Sequence, residues 1–217
     1  MSPLGVNRCG HKKLNNSPTL KLKKMTDYDK WANFLKPETL KSNLINCGFY
    51  ISLFESFKDY IVSSVKDFYM TGFDETGYIY SKDYSKVLSK NKSELYASLA
   101  WLVESEAIDA EDMANFEKQK KLRNKLAHDM MTCLFENDFD TYVENLTCLM
   151  SLRTKIEKWW IMNVEIPTNS DFDNQDIKEK DVVTGSELMN RVMIDILTGN
   201  EDEANFYYNE FLKARNN

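Results

Sequence analysis

The stretch RNKLAH, Arg123 to His128, places a guanidinium, a carboxamide and an imidazole within six positions of what reads as one helix. At about 100° per residue, Asn124 and His128 stand one turn apart on the same face; Arg123 and His128 diverge by about 140° and meet only through the reach of the arginine. Histidine exchanges protons near neutral pH, and arginine offers a permanent forked charge that fits phosphate oxygens. With Arg123, Lys118, Lys120, Lys121 and Lys125 make five of the eight residues from 118 to 125 basic. Such a set could act on a phosphodiester. Attack of a 2′-hydroxyl on the adjacent phosphorus needs a base, an acid for the leaving 5′-oxygen and positive charge on the phosphorane. Two plainer readings stand beside this one: a surface or hydrogen-bonded structural histidine, and a lysine run that is only a solvated helix face.

The rest of the chain makes that basic turn unusual. The 217 residues carry a net charge of −6, yet the first 25 contain Arg8, Lys12, Lys13, Lys21, Lys23 and Lys24 with no acid. Removing those six from the 28 basic residues leaves 22 against 34 acids. Such a surface is wrong for coating nucleic acid without regard to sequence, so any nucleic-acid contact must be local. Apolar residues at 42% argue for a packed protein, and 7 glycines with 4 prolines are too few for a turn-rich β-sandwich. The expected class is all-α, one domain with appendages.

Elements able to carry the turn follow from periodicity. Residues 1–25 are polar, basic and aperiodic and read as a flexible arm. Thr26 with Asp29 forms a capping-box pattern before a short helix with Trp31 and Phe34, and Pro37 suits the first turn of the next. Leu40, Leu44, Cys47, Ile51, Phe54, Phe57, Ile61, Val65 and Phe68 then recur at three- and four-residue steps, predicting a long amphipathic helix. Residues 71–92 lose the period and read as an irregular insertion. Ser93 is placed to cap a helix with Leu95, Leu99, Leu102 and Val103 inside. Asp109 and Asp112 mark the start of a third core helix, about 110 to 135, carrying RNKLAH in its interior. A fourth, about 139 to 163, turns Tyr142, Leu146, Leu149, Leu152, Ile156 and Trp160 inward. An acidic linker leads to closing helices from Ser186. The expected organisation is an arm (1–25), a helical core (26–165) and a C-terminal extension (166–217).

RNKLAH resembles the R-x4-6-H motif of the HEPN superfamily, in which a polar residue commonly follows the arginine. The Leu-Ala before the histidine, the position in a late helix and the earlier long helix with Glu55 in LFESF also resemble that family. The resemblance covers residues 37 to 163. It implies an HEPN-like antiparallel helical bundle with an insertion and a C-terminal helical extension. It also implies a metal-independent endoribonuclease that dimerises so that two motifs share one cleft. Carried over, it makes Arg123 and His128 the catalytic pair and Asn124 their polar support, while Glu55 is either a supporting acid or a surface carboxylate. Lys120, Lys121 and Lys125 would hold RNA phosphates. Family association points to a toxin or antiphage defence effector with an inhibitory antitoxin or regulatory partner. The alternative is a non-catalytic HEPN-like module that binds a nucleotide, RNA or a partner protein.

Other chemistry is poorly provided for. Cys9, Cys47, Cys133 and Cys148 lack C-x-x-C spacing and read as reduced, buried thiols, with no metal or cofactor expected. There is no phosphate-loop, nucleophile-elbow or H-E-x-x-H pattern. Trp159 and Trp160 could stack a base but fit a core better, and NFYYNEF near the end reads as packing. No run approaches a membrane span, and no secretory signal is seen, so a soluble cytoplasmic protein is expected.

Overall fold

The computed structural model describes residues 26–137, 139, 141–198 and 201–215, so the basic arm lies outside the described residues. The chain is overwhelmingly helical, as the composition requires, and its only sheet among the described residues has two strands. The helices that matter are α1 (Asp27–Leu35), α2 (Pro37–Phe68), α3 (Lys82–Leu88), α4 (Glu94–Glu104), α5 (Ala110–His128), α6 (Met130–Glu136) and α7 (Tyr142–Trp160). After a π-helical turn, Ile161–Glu165, come a one-turn helix, α8 (Ile166–Thr168), and the C-terminal helices α9 (Gly185–Thr198) and α10 (Glu201–Arg215).

The start signals act as read. The Thr26 hydroxyl accepts from the Asp29 backbone N–H at 3.2 Å, and the Asp29 carboxylate accepts from the Thr26 N–H at 3.0 Å, so two of the first turn's orphan donors are satisfied. Asp109 and Asp112 repeat the device at α5: the Asp112 N–H donates to Asp109 Oδ1 at 2.9 Å and the Asp109 N–H to Asp112 Oδ2 at 3.0 Å. The Asp112 N–H, with the Lys155 ammonium and the Glu111 N–H, holds the Asp109 carboxyl below its ordinary range. Ser93 occupies the cap position of α4, but its side chain makes no capping bond.

The structure divides into two compact units, with α2, α5 and α7 each contributing a segment to both. One unit contains residues 26–54 and 119–148. Here α1 lies on α6 through Trp31 and Phe135, ring centroids 4.9 Å apart, with Lys30 ion-paired to Glu136 at 2.7 Å. Tyr50 is fully buried and donates to Gln119 Oε1 at 2.5 Å; Tyr142 donates to the Asn46 carbonyl at 2.8 Å. These bonds answer the polar groups that burial would otherwise strand. Cys47 and Cys133 are buried free thiols, and burial together with the neighbouring Cys133 pushes the Cys47 thiol up to about 11. Cys148 is also buried.

The other unit contains residues 55–118 and the chain from Leu149 onward. Phe57, Ile61 and Val65 of α2, Leu99 and Leu102 of α4, Phe116 of α5 and Ile156 of α7 are among its fully buried residues. Trp160 is buried and stacks on Trp101 with planes 14° apart, so the tryptophan pair serves the core rather than an open stacking platform. The segment expected to be irregular is ordered. β1 (Met70–Asp74) and β2 (Gly77–Tyr80) form an antiparallel hairpin, followed directly by α3. Asp74 accepts from the Thr76 N–H at 2.7 Å and Gly77 takes φ +125°, so a side-chain-supported turn closed by glycine makes the reversal. Phe206 and Phe211 of α10 are exposed, contrary to the packing role read for NFYYNEF.

Candidate functional site

The basic motif occupies the C-terminal half of α5, and all of Arg123 to His128 belongs to the first of the two units. Its inner face is set by Gln119 and Leu126, both buried and seven residues apart, hence two turns apart on one side of the helix. Measured from Gln119 at about 100° per residue, Arg123 falls about 40° away, Asn124 about 140° and His128 about 180°. The burial agrees with that wheel: Arg123 and Asn124 are half-buried, and His128 is exposed. Lys121 and Lys125 are exposed within about 60° of His128 around the helix, and Lys120 is half-buried.

One contact ties the arginine to the outer face. Arg123 Nη1 donates to Asn124 Oδ1 at 3.0 Å, turning a guanidinium rooted near the inner face toward the side where His128 stands. A neutral carboxamide can do this without cancelling the charge, whereas a carboxylate would form a closed ion pair. Asn124 is thus a hydrogen-bond partner of the guanidinium and adds no opposing charge of its own.

His128 sits differently from the expectation. Instead of lying inside a helix running to about 135, it is the last residue of α5, and α6 begins two residues later. Asp129 takes φ −119° and ψ 26°, outside helical values, while its N–H still reaches the Lys125 carbonyl at 2.8 Å. Aspartate is a poor helix-interior residue, and the break falls on it. The consequence is favourable for chemistry: the imidazole stands at a helix end with an open approach rather than in a packed groove. Lys125 and His128 occupy the last turn, where the negative end of the helix dipole favours cationic side chains. The His128 ring makes no hydrogen bond to any described residue, so no described residue fixes its tautomer.

Glu55 belongs to the other unit, where it is half-buried and ion-paired with Lys58 on its own helix. Among the described residues there is no group of three or more His, Cys, Asp or Glu side chains able to hold a metal ion. Among them, too, no helix is long and apolar enough to cross a membrane. Sequence reasoning missed Gln119, whose buried amide and its bond to Tyr50 fix which side of α5 faces inward. A polar residue on an inner face at a position seven from a leucine carries little signal without the partner tyrosine in view. Comparison with protein-family profiles, curated proteins and solved structures finds no match.

Proposed function

We propose that this chain is a metal-independent endoribonuclease of the HEPN type, acting as a dimer whose two RNKLAH motifs share one cleft. The observation that carries the reading is the Arg123–Asn124–His128 arrangement: an arginine oriented by a carboxamide, with an exposed imidazole one turn on, in a lysine-rich half-helix of an otherwise acidic chain. In the proposed reaction the 2′-oxygen bonds to phosphorus while the bond to the 5′-oxygen breaks. One imidazole takes the 2′-hydroxyl proton, a second imidazolium protonates the leaving oxygen, and Arg123 neutralises the phosphorane. Lys120, Lys121 and Lys125 would hold flanking phosphates, so binding should weaken as salt rises. A cytoplasmic toxin or antiphage role, with an inhibitory partner, belongs to this same proposal and rests on the family resemblance.

A single chain supplies one histidine at the motif, which is why a second copy enters the mechanism. Leu44, Ile45, Met131 and Val143 are exposed apolar residues of the same unit as His128 and offer material for a symmetric interface. Light scattering should report about twice the 25.4 kDa chain mass at micromolar concentration; an active monomer would remove the composite site.

The reaction itself is tested with purified protein and cellular RNA, with and without chelator. Products ending in 2′,3′-cyclic phosphate and 5′-hydroxyl, formed equally in chelator, are expected because the motif supplies proton transfer and charge by itself. Activity lost in chelator and restored by magnesium or manganese sinks this mechanism. The second reading, a non-catalytic module binding a nucleotide, RNA or protein through the same turn, is favoured by the unanchored His128 ring. It predicts salt-sensitive RNA binding without cleavage.

A further inference from the structure

In α9 the sides of an amphipathic helix are reversed relative to the protein. Leu188, Val192 and Ile196 follow one another at four-residue steps, with Met189 and Met193 beside them, making an apolar stripe wide enough to seat a helix on a core. Most of that stripe faces out: Leu188 is 55% exposed, Met189 58% and Ile196 46%, with Val192 half-buried. The opposite side carries Ile194 and Leu197 but also polar groups turned inward. Asn190 is only 4% exposed, and Ser186 donates to the carboxylate of Glu157 on α7. Glu157 is held in turn by Arg153 at 2.8 Å, and the Thr184 hydroxyl accepts the Glu187 N–H at 3.1 Å to start the helix. Polar bonds therefore fix α9 with its apolar side open to solvent, which costs free energy unless something covers it.

Charge and size identify what covers it. From 171 to 215 acidic residues outnumber basic ones by eleven to five. A second copy would bring the same excess against itself, and an anionic lipid surface would be repelled. The stripe is also small. At about 1.5 Å per residue, this 14-residue helix is about 21 Å long and presents one face, well short of the roughly 800 Å² per partner of a stable standard interface. A single helix of opposite charge fits both limits, laying apolar anchors at three- and four-residue spacing along the stripe while basic flanks suit the acidic excess of this stretch of chain. Two methionines in the stripe give it adaptable packing. We propose that the outer face of α9 is a docking site for a basic amphipathic helix of another protein, a surface separate from the RNKLAH turn.

The test uses the full chain and a fluorescent synthetic helix about as long as α9, with leucines on one face and lysines on the other. A matched peptide with glutamates for lysines serves as control. The lysine peptide is expected to bind with a Kd in the ~1–100 μM range, and the glutamate peptide at least ~10-fold more weakly. Met189→Glu combined with Ile196→Glu should weaken the lysine peptide at least ~10-fold, with circular dichroism and melting unchanged because both side chains are exposed. Equal binding by wild type and variant, equal binding of the two peptides, or no binding at ~100 μM overturns the proposal. So does wild-type self-association that the double variant abolishes, which makes a second copy the occupant, or co-sedimentation with anionic phosphatidylserine vesicles that the variant abolishes.

Discussion

His128→Ala is expected to lower RNA cleavage by roughly 10²–10⁴-fold, the usual contribution of a positioned proton-transfer group, while the melting temperature stays at the wild-type value. The second half follows from position: the side chain is exposed at the end of α5 and makes no hydrogen bond to a described residue, so its removal strands nothing. Arg123→Ala should cost as much activity but with some loss of stability, since the guanidinium is half-buried and bonded to Asn124. Arg123→Lys separates the two effects. It keeps a charge and most of the stem but cannot reproduce the fork, so near-normal stability with persistent inactivity marks a role on the phosphorane. If Arg123→Lys restores activity in full, the arginine is only a charge. Mixing Arg123→Ala with His128→Ala should recover part of the activity if one intact copy of each suffices in a shared cleft, and no recovery is expected from a site contained within one chain. A histidine variant that cleaves normally removes the proposed mechanism altogether.

What could be read beforehand divides along physical lines. Helix α7 was legible to the residue: Tyr142, Leu146, Leu149, Leu152, Ile156 and Trp160 are all buried, because an amphipathic helix with a single inner face records that face in its period. On α2 the same reasoning holds for Cys47, Phe54, Phe57, Ile61 and Val65, but Leu44 and Phe68 lie exposed towards the two ends of the helix. Val103 fails on α4 for the same cause: periodicity gives a face and not the extent of what covers it. The hairpin was hidden because Gly72, Gly77 and a run of exposed aromatic and polar residues give no alternation of buried and open positions. The break at Asp129 was hidden because the apolar period runs on through Met130 and Leu134, so only one residue's poor helix propensity marked it. At the site, residue types and spacing placed Arg123, Asn124 and His128 together on one helix, while the inner-facing Gln119 and the terminal position of His128 needed the packed structure.

The largest stability effect is expected from a buried ring on α2. Phe54 is 3% exposed and Phe57 0%, whereas Met131 on α6 is 64% exposed. Phe57 also meets Phe116 edge-on with ring centroids 6.3 Å apart, within the unit to which both belong. The two phenylalanines are therefore core, whereas Met131 is open to a partner. Phe57→Ala removes a large buried ring and leaves a cavity that the surrounding helices cannot wholly close, at a cost of about 3–5 kcal/mol. Set against a total stability of about 5–15 kcal/mol, that is enough to leave the chain marginal at 37 °C. Met131→Ala, by contrast, should stay within about 0.5 kcal/mol. Urea titration followed by circular dichroism, run at dilution where any oligomer is dissociated, measures both. A small shift for Phe57→Ala together with a halved mass in light scattering would place Phe57 at an interface and overturn its placement in the core.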